Sequence, residues 1–159
     1  MKKLYGLIVF FIAFSVHAQE IQVEENNNVH TGRIGSVIRV PVTIQNTSDR
    51  AAYIIVKRLD AVIGSSQKSY FCWDGECYAE DVDKIPVSKR LEPGETSDAF
   101  ISVLEAGLVE GYSTITYRIY NRDNPSDYTD YEITYHIENK TPERLIYESK
   151  SIRINDVYP

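Results

Sequence analysis

The chain has 159 residues, with 23 acidic side chains against 17 basic ones and a pI near 5.1, a length that suits one domain with one continuous core. That acidic balance argues against nucleic acid or an anionic membrane as the principal partner, since both reward a basic face. The residues imply no cofactor.

Residues 1–18 read as an export signal. Lys2 and Lys3 form a positive start, Leu7 to Val16 is an apolar run too short to span a bilayer, and Val16-His17-Ala18 offers the small residues that a signal peptidase accepts. Cleavage before Gln19 removes two of the basic residues and none of the acidic ones, taking the formal charge from −6 to −8. No later run is long and apolar enough to span a membrane. The mature chain is therefore expected outside the cytoplasm, secreted or at the cell surface, with the periplasm as the alternative.

From Gln19 the chain reads as short strands separated by turn residues, an all-β pattern of about seven or eight strands. In Ser36 to Gln45, Ile38, Val40, Val42 and Ile44 alternate with Arg39, Pro41, Thr43 and Gln45, so one face meets a core and the other water. Pro41 has no N–H for a ladder and predicts an edge or a bulge. Asn46 to Asp49 turns the chain into Ala52 to Ile63, whose Tyr53, Ile54, Ile55 and Val56 predict a central strand.

Phe71-Cys-Trp-Asp-Gly-Glu-Cys-Tyr78 is the most specific local element. Asp74-Gly75 suits a two-residue type I′ turn, which makes Trp73 and Glu76 the flanking pair and sets Cys72 across from Cys77 at bridging distance. With export, this predicts a disulfide. Zinc would require two more soft ligands, and the mature chain has only His30 and His136, far away in sequence. Trp73, flanked by Tyr70, Phe71 and Tyr78, is read first as a ring that covers the core, and the four together are read second as a candidate binding surface for sugar or protein.

Further on, Pro93-Gly94 occupies the middle of a type II turn, and a strand is expected at Asp98 to Leu104. Tyr112 to Tyr120 and Tyr128 to Glu138 form the clearest pair, with Asn121 to Asp127 as a hairpin loop between them. Asp123, Asn124, Asp127 and Asp130 crowd that region, and Glu80, Asp81 and Asp83 crowd another. Both offer hard oxygen ligands for calcium, though neither has the spacing of an EF-hand. His30 is read as a loop histidine and His136 as solvent-facing by alternation. These elements predict an immunoglobulin-like two-sheet β-sandwich over 19–138, followed by a tail or linker over 139–159.

The order of YIIVKR (53–58), YFCWDGECY (70–78), LEPGETSDAF (91–100), GYSTITYRIYNRDNPSDY (111–128) and YEITYHI (131–137) resembles a known module. This is the immunoglobulin-like domain that precedes the sorting domain in many secreted Bacteroidetes proteins. The tail Ser151-Ile-Arg-Ile-Asn-Asp-Val-Tyr-Pro159 is similar to the opening of a type A sorting domain. Ser102 to Gly111 departs from the family in lacking an N-P-N-G turn. The resemblance implies a non-catalytic module carried by the type IX secretion system, so no catalytic residue is expected. Its partner is expected to be a protein or glycan at the cell surface, besides the secretion machinery itself. A periplasmic or outer-membrane-associated accessory subunit is the alternative, and a small secreted hydrolase a third.

Overall fold

A computed structural model describes residues 19–24 and 29–139, so the expected leader over 1–18 and the tail from residue 140 onward lie outside the described residues. Strong alternation over most of the chain leaves ten strands and no helix among the described residues. They are β1 (Ile21–Val23), β2 (Val29–Arg33), β3 (Val37–Asn46), β4 (Ala52–Val62), β5 (Lys68–Trp73), β6 (Glu76–Tyr78), β7 (Lys89–Leu91), β8 (Thr96–Glu105), β9 (Gly111–Asn121) and β10 (Asn124–Glu138).

One sheet has the order β1-β3-β8-β5-β6 and the other β2-β10-β9-β4-β7. The runs β1-β3-β8-β5 and β10-β9-β4 reproduce the four-plus-three arrangement of an immunoglobulin-like sandwich. The N-terminal segment serves both sheets. β1 pairs antiparallel with β3, and β2 pairs parallel with β10 in the opposite sheet.

Inward residues of both sheets meet in one core. Ile38, Val40, Val42 and Ile44 alternate into it from β3, and Ile115, Tyr117 and Ile119 from β9. Ile133 stands opposite Ile115, and Tyr131 opposite Tyr117, so the alternating faces of β9 and β10 coincide. Phe100 and Tyr117, from opposing sheets, make an edge contact at 4.8 Å between ring centres, worth about 0.5–1.5 kcal/mol beyond the area it buries.

Three expectations change. The count exceeds seven or eight because β1 and β7, of three residues each, are too short to show alternation, and β2 runs through His30, where a loop was expected. The expected loop Asn121 to Asp127 shrinks to Arg122-Asp123, because β10 begins at Asn124 and continues through a bulge before Tyr128. β4 is flanked on both sides only in part. β7 pairs with Ala52, Tyr53 and Ile54, and Lys57 forms an isolated bridge with Lys84, but beyond that the strand has a neighbour only in β9. Pro41 sits as expected. β1 pairs no further than Ile44, so at Pro41 β3 has β8 on one side alone, and the register shifts just after, between Val42 and Ile44.

Candidate functional site

The hairpin has the predicted geometry. Asp74 and Gly75 adopt φ of 51° and 91°, the positive values a type I′ turn demands and the reason glycine takes the second place. Trp73 then pairs with Glu76 and Cys72 with Cys77. The two cysteines form a disulfide across a Cα separation of 3.9 Å. Both lie in one sheet, so the bridge pins β6 to β5 and does not join the two layers.

At this hairpin the core reading of Trp73 holds, and the candidate binding surface loses both Trp73 and Phe71. Alternation along β5 turns Phe71 and Trp73 inward, where they are 1% and 4% exposed, and both rings pack near Phe100, at 6.0 and 6.4 Å. Tyr78 faces Phe71 across the ladder and packs against the same core, its ring 5.6 Å from Phe71. Burial, with Glu76 beside it, raises the Tyr78 phenol above its ordinary pKa. Tyr70 alone points outward, opposite Val103 on β8. Arg39 flanks Val103 from β3, and its guanidinium lies 4.0 Å from the Cys72 sulfur. A groove of about 460 Å³ between the hairpin and Val87–Arg90 is crossed by the ion pair of Lys89 with Asp74, 2.8 Å apart.

Most carboxylates of the two acidic clusters weighed for calcium have protein partners. Asp130 takes Arg118 through two bonds of 2.7 Å, Asp123 takes Arg122 at 3.0 Å, and Asp127 accepts the Glu20 N–H at 2.7 Å. Asn124 bonds Glu20, whose carboxyl is held below its ordinary pKa chiefly by Arg50. In the second cluster Asp83 binds Arg58 and Glu80 binds Lys68. Among the described residues no group of three or more His, Cys, Asp or Glu is placed to hold a metal ion.

The histidines divide. His136 faces outward as expected and stacks on Tyr112, with ring centres 4.4 Å apart and planes 7° from parallel. His30 is not a loop residue. It lies in β2 opposite Tyr135, its Nε2 is buried without a hydrogen-bond partner, and burial lowers its pKa. Burial of this kind disfavours the charged imidazolium.

Three polar side chains that the sequence did not single out organise the interior. Arg58 points inward from β4, its side chain 9% exposed. It donates to the Ser69 carbonyl and hydroxyl at 3.1 Å each, to the Asp83 carboxylate at 2.7 and 3.0 Å, and to the Glu80 carbonyl. That joins β4 to β5 in the opposite sheet and lines a cleft of about 350 Å³ with groups already paired. Asn46, fully buried, donates to the carbonyls of Arg50, Leu91 and Glu92 and accepts from Ser48. It thereby ties the end of β3 to the Pro93-Gly94 turn. Ser102, also fully buried, bonds the hydroxyls of Tyr117 and Tyr135 at 2.7 Å each.

The outer face of the β2-β10-β9-β4-β7 sheet is the broad polar and aromatic surface. It displays Tyr53, Tyr120, Tyr128 and Tyr112 among threonines and charged groups. Arg122 lies 4.2 Å above the Tyr53 ring and Arg118 3.7 Å above that of Tyr128, an arrangement that cation–π attraction favours. No single stretch of sequence reveals this face, because its members come from separate strands.

No family model matches the chain, and no curated protein matches it. Among solved structures it is similar to the N-terminal domain of PorA, at 14% identity and a TM-score of 0.53, covering 76% of this chain and 97% of that one. It is also similar to part of the alpha-2-macroglobulin of E. coli, at 17% identity and a TM-score of 0.52, covering 77% of this chain and 7% of that one. At these identities the likeness shows the fold, an immunoglobulin-like β-sandwich, and the chain spans only a small fraction of the macroglobulin.

Proposed function

We propose that the chain is an exported, non-catalytic module that works by binding or spacing, and that it is cargo of the type IX secretion system. The observation that carries this reading is where the polar chemistry goes. Ser102, Arg58 and Asn46 are buried and engaged in holding the sandwich, and the two clefts described above are lined by ion pairs, Arg58 with Asp83 and Lys89 with Asp74. A fold of this kind implies no chemistry by itself. The Cys72–Cys77 disulfide supports passage to an oxidising compartment. The type IX assignment rests on the resemblance of residues 21–138 and of SIRINDVYP to sorted proteins, and the PorA likeness accords with the domain part of it.

Fractionation of cells making the full-length protein tests the proposal. The expected result is protein at the cell surface or in the medium, retained in the periplasm when the type IX translocon is deleted. A soluble periplasmic protein whose location ignores that deletion would overturn the delivery route and favour the accessory-subunit alternative.

A further inference from the structure

The outer face of the β2-β10-β9-β4-β7 sheet carries an arrangement that folding alone does not call for. Lys84 and Lys57 face one another across an isolated bridge, and Lys57 faces Arg118 across the β4–β9 ladder. Three cations thus stand side by side in one row. Like charges directly opposite on a sheet repel, and only Arg118 has a carboxylate, that of Asp130. The lysines with ion-pair partners among the described residues are Lys68 and Lys89, not these two. Asp130 closes the row on β10 and neutralises Arg118, and Asp60 and Glu132 flank Thr116 in the adjacent row, so the cations left without a carboxylate on this acidic chain are the neighbours Lys57 and Lys84.

The next row is aromatic. Tyr120 faces Tyr128 across the β9–β10 ladder, the Lys84 ammonium lies 6.0 Å from the centre of the Tyr120 ring, and the Arg118 guanidinium covers Tyr128. The cations therefore run from the Lys84 bridge to Arg118 on β9, about 10 Å at ordinary strand spacing, and the two rings stand beside them on β9 and β10. These side chains stand on the outward face of a sheet, whereas sites for small molecules are concave.

We propose that these cations and rings bind an acidic polysaccharide, one carrying carboxylate or sulfate groups. Its anions neutralise Lys57 and Lys84, and its sugar rings lie along Tyr120 and Tyr128. Nucleic acid fits less well, since it needs a phosphate-matching basic surface on a basic domain, and the chain is acidic. An acidic peptide would use the lysines without needing the rings. The inference rests on the reading of the chain as an exported binding module and names its ligand class.

The test is calorimetric titration of the mature protein with polygalacturonate, dextran sulfate, neutral dextran and poly-glutamate. Binding to polygalacturonate or dextran sulfate is expected, weakening as salt rises, with none to dextran; which of the two binds separates a carboxylate from a sulfate ligand. The double variant Lys57→Gln/Lys84→Gln should lose at least about tenfold in affinity while melting no lower than the parent, because its loss removes a repulsion. Lys68→Gln, on the other sheet, should bind as the parent does. Tyr128→Ser should weaken binding several-fold with the salt dependence unchanged. Failure of both acidic polysaccharides to bind, poly-glutamate binding as tightly, or intact affinity in the double variant or in Tyr128→Ser would overturn the inference. A surface-located protein that binds neither polymer sinks this inference alone, while binding by a protein whose location ignores the translocon sinks only the delivery route.

Discussion

The Ser102 hydroxyl joins the two sheets through hydrogen bonds, with Tyr117 from β9 and Tyr135 from β10 both 2.7 Å away. Low dielectric makes such a buried triad strong while complete and costly when broken. Ser102→Ala would leave two buried phenols short of a partner, at about 1–3 kcal/mol, measurable by denaturant unfolding. Burial also pushes the Tyr117 pKa up to about 12 and raises that of Tyr135, against the opposing effect of the Ser102 bond. Since the folded protein holds these protons more tightly than the unfolded chain, their contribution to stability is complete below pH 10. It is lost as pH rises from 10 toward about 12. Melting temperature should fall over that window, and less steeply in Tyr117→Phe; equal slopes in the two proteins would contradict this account.

At the scale of elements, the hairpin and the long strands were legible in the sequence and the short pairings were not. Asp74-Gly75 fixes a turn through its own backbone, and the alternation in β3, β9 and β10 states which face is buried. The segment Asn121 to Asp127 reads as loop from its turn formers, yet β10 extends through most of it because tertiary bonds hold it. Asp127 receives the Glu20 N–H, and Thr129 donates to the Ile21 carbonyl. The two readings of the aromatic hairpin carry a similar lesson. Phe71 and Trp73 share parity with buried Ser69, a signal that alternation offered and aromatic character obscured. The Lys84–Lys57–Arg118 row depends on pairings distant in sequence, which composition does not encode. Two outcomes follow for these elements. Replacing both cysteines by alanine should cost about 2 kcal/mol or less, since the closed ring is small, with β6 fraying first by hydrogen exchange. Ile133→Ala, opposite Ile115 in the core, should cost about 2–5 kcal/mol, and a near-neutral result would mean that the site collapses around the missing atoms.

For the molecule as a whole, the two sheets are not independent layers. β1 and β2 place one N-terminal segment in both of them, Arg58 binds Ser69 and the Glu80–Asp83 loop from the opposite side, and Ser102 holds Tyr117 and Tyr135. Opening either sheet would expose the shared core and strand these polar groups, so partial unfolding has no cheap intermediate. Every one of these ties lies between residues 19 and 138, the span that the sequence assigns to the domain. A fragment of residues 19–139 is therefore expected to unfold in a single transition, with calorimetric and van't Hoff enthalpies equal, and to melt within a few degrees of the chain that continues to Pro159. A fragment melting about 10 °C lower would mean that the remaining residues supply roughly 2 kcal/mol or more, and the boundary near 139 would then have to be moved.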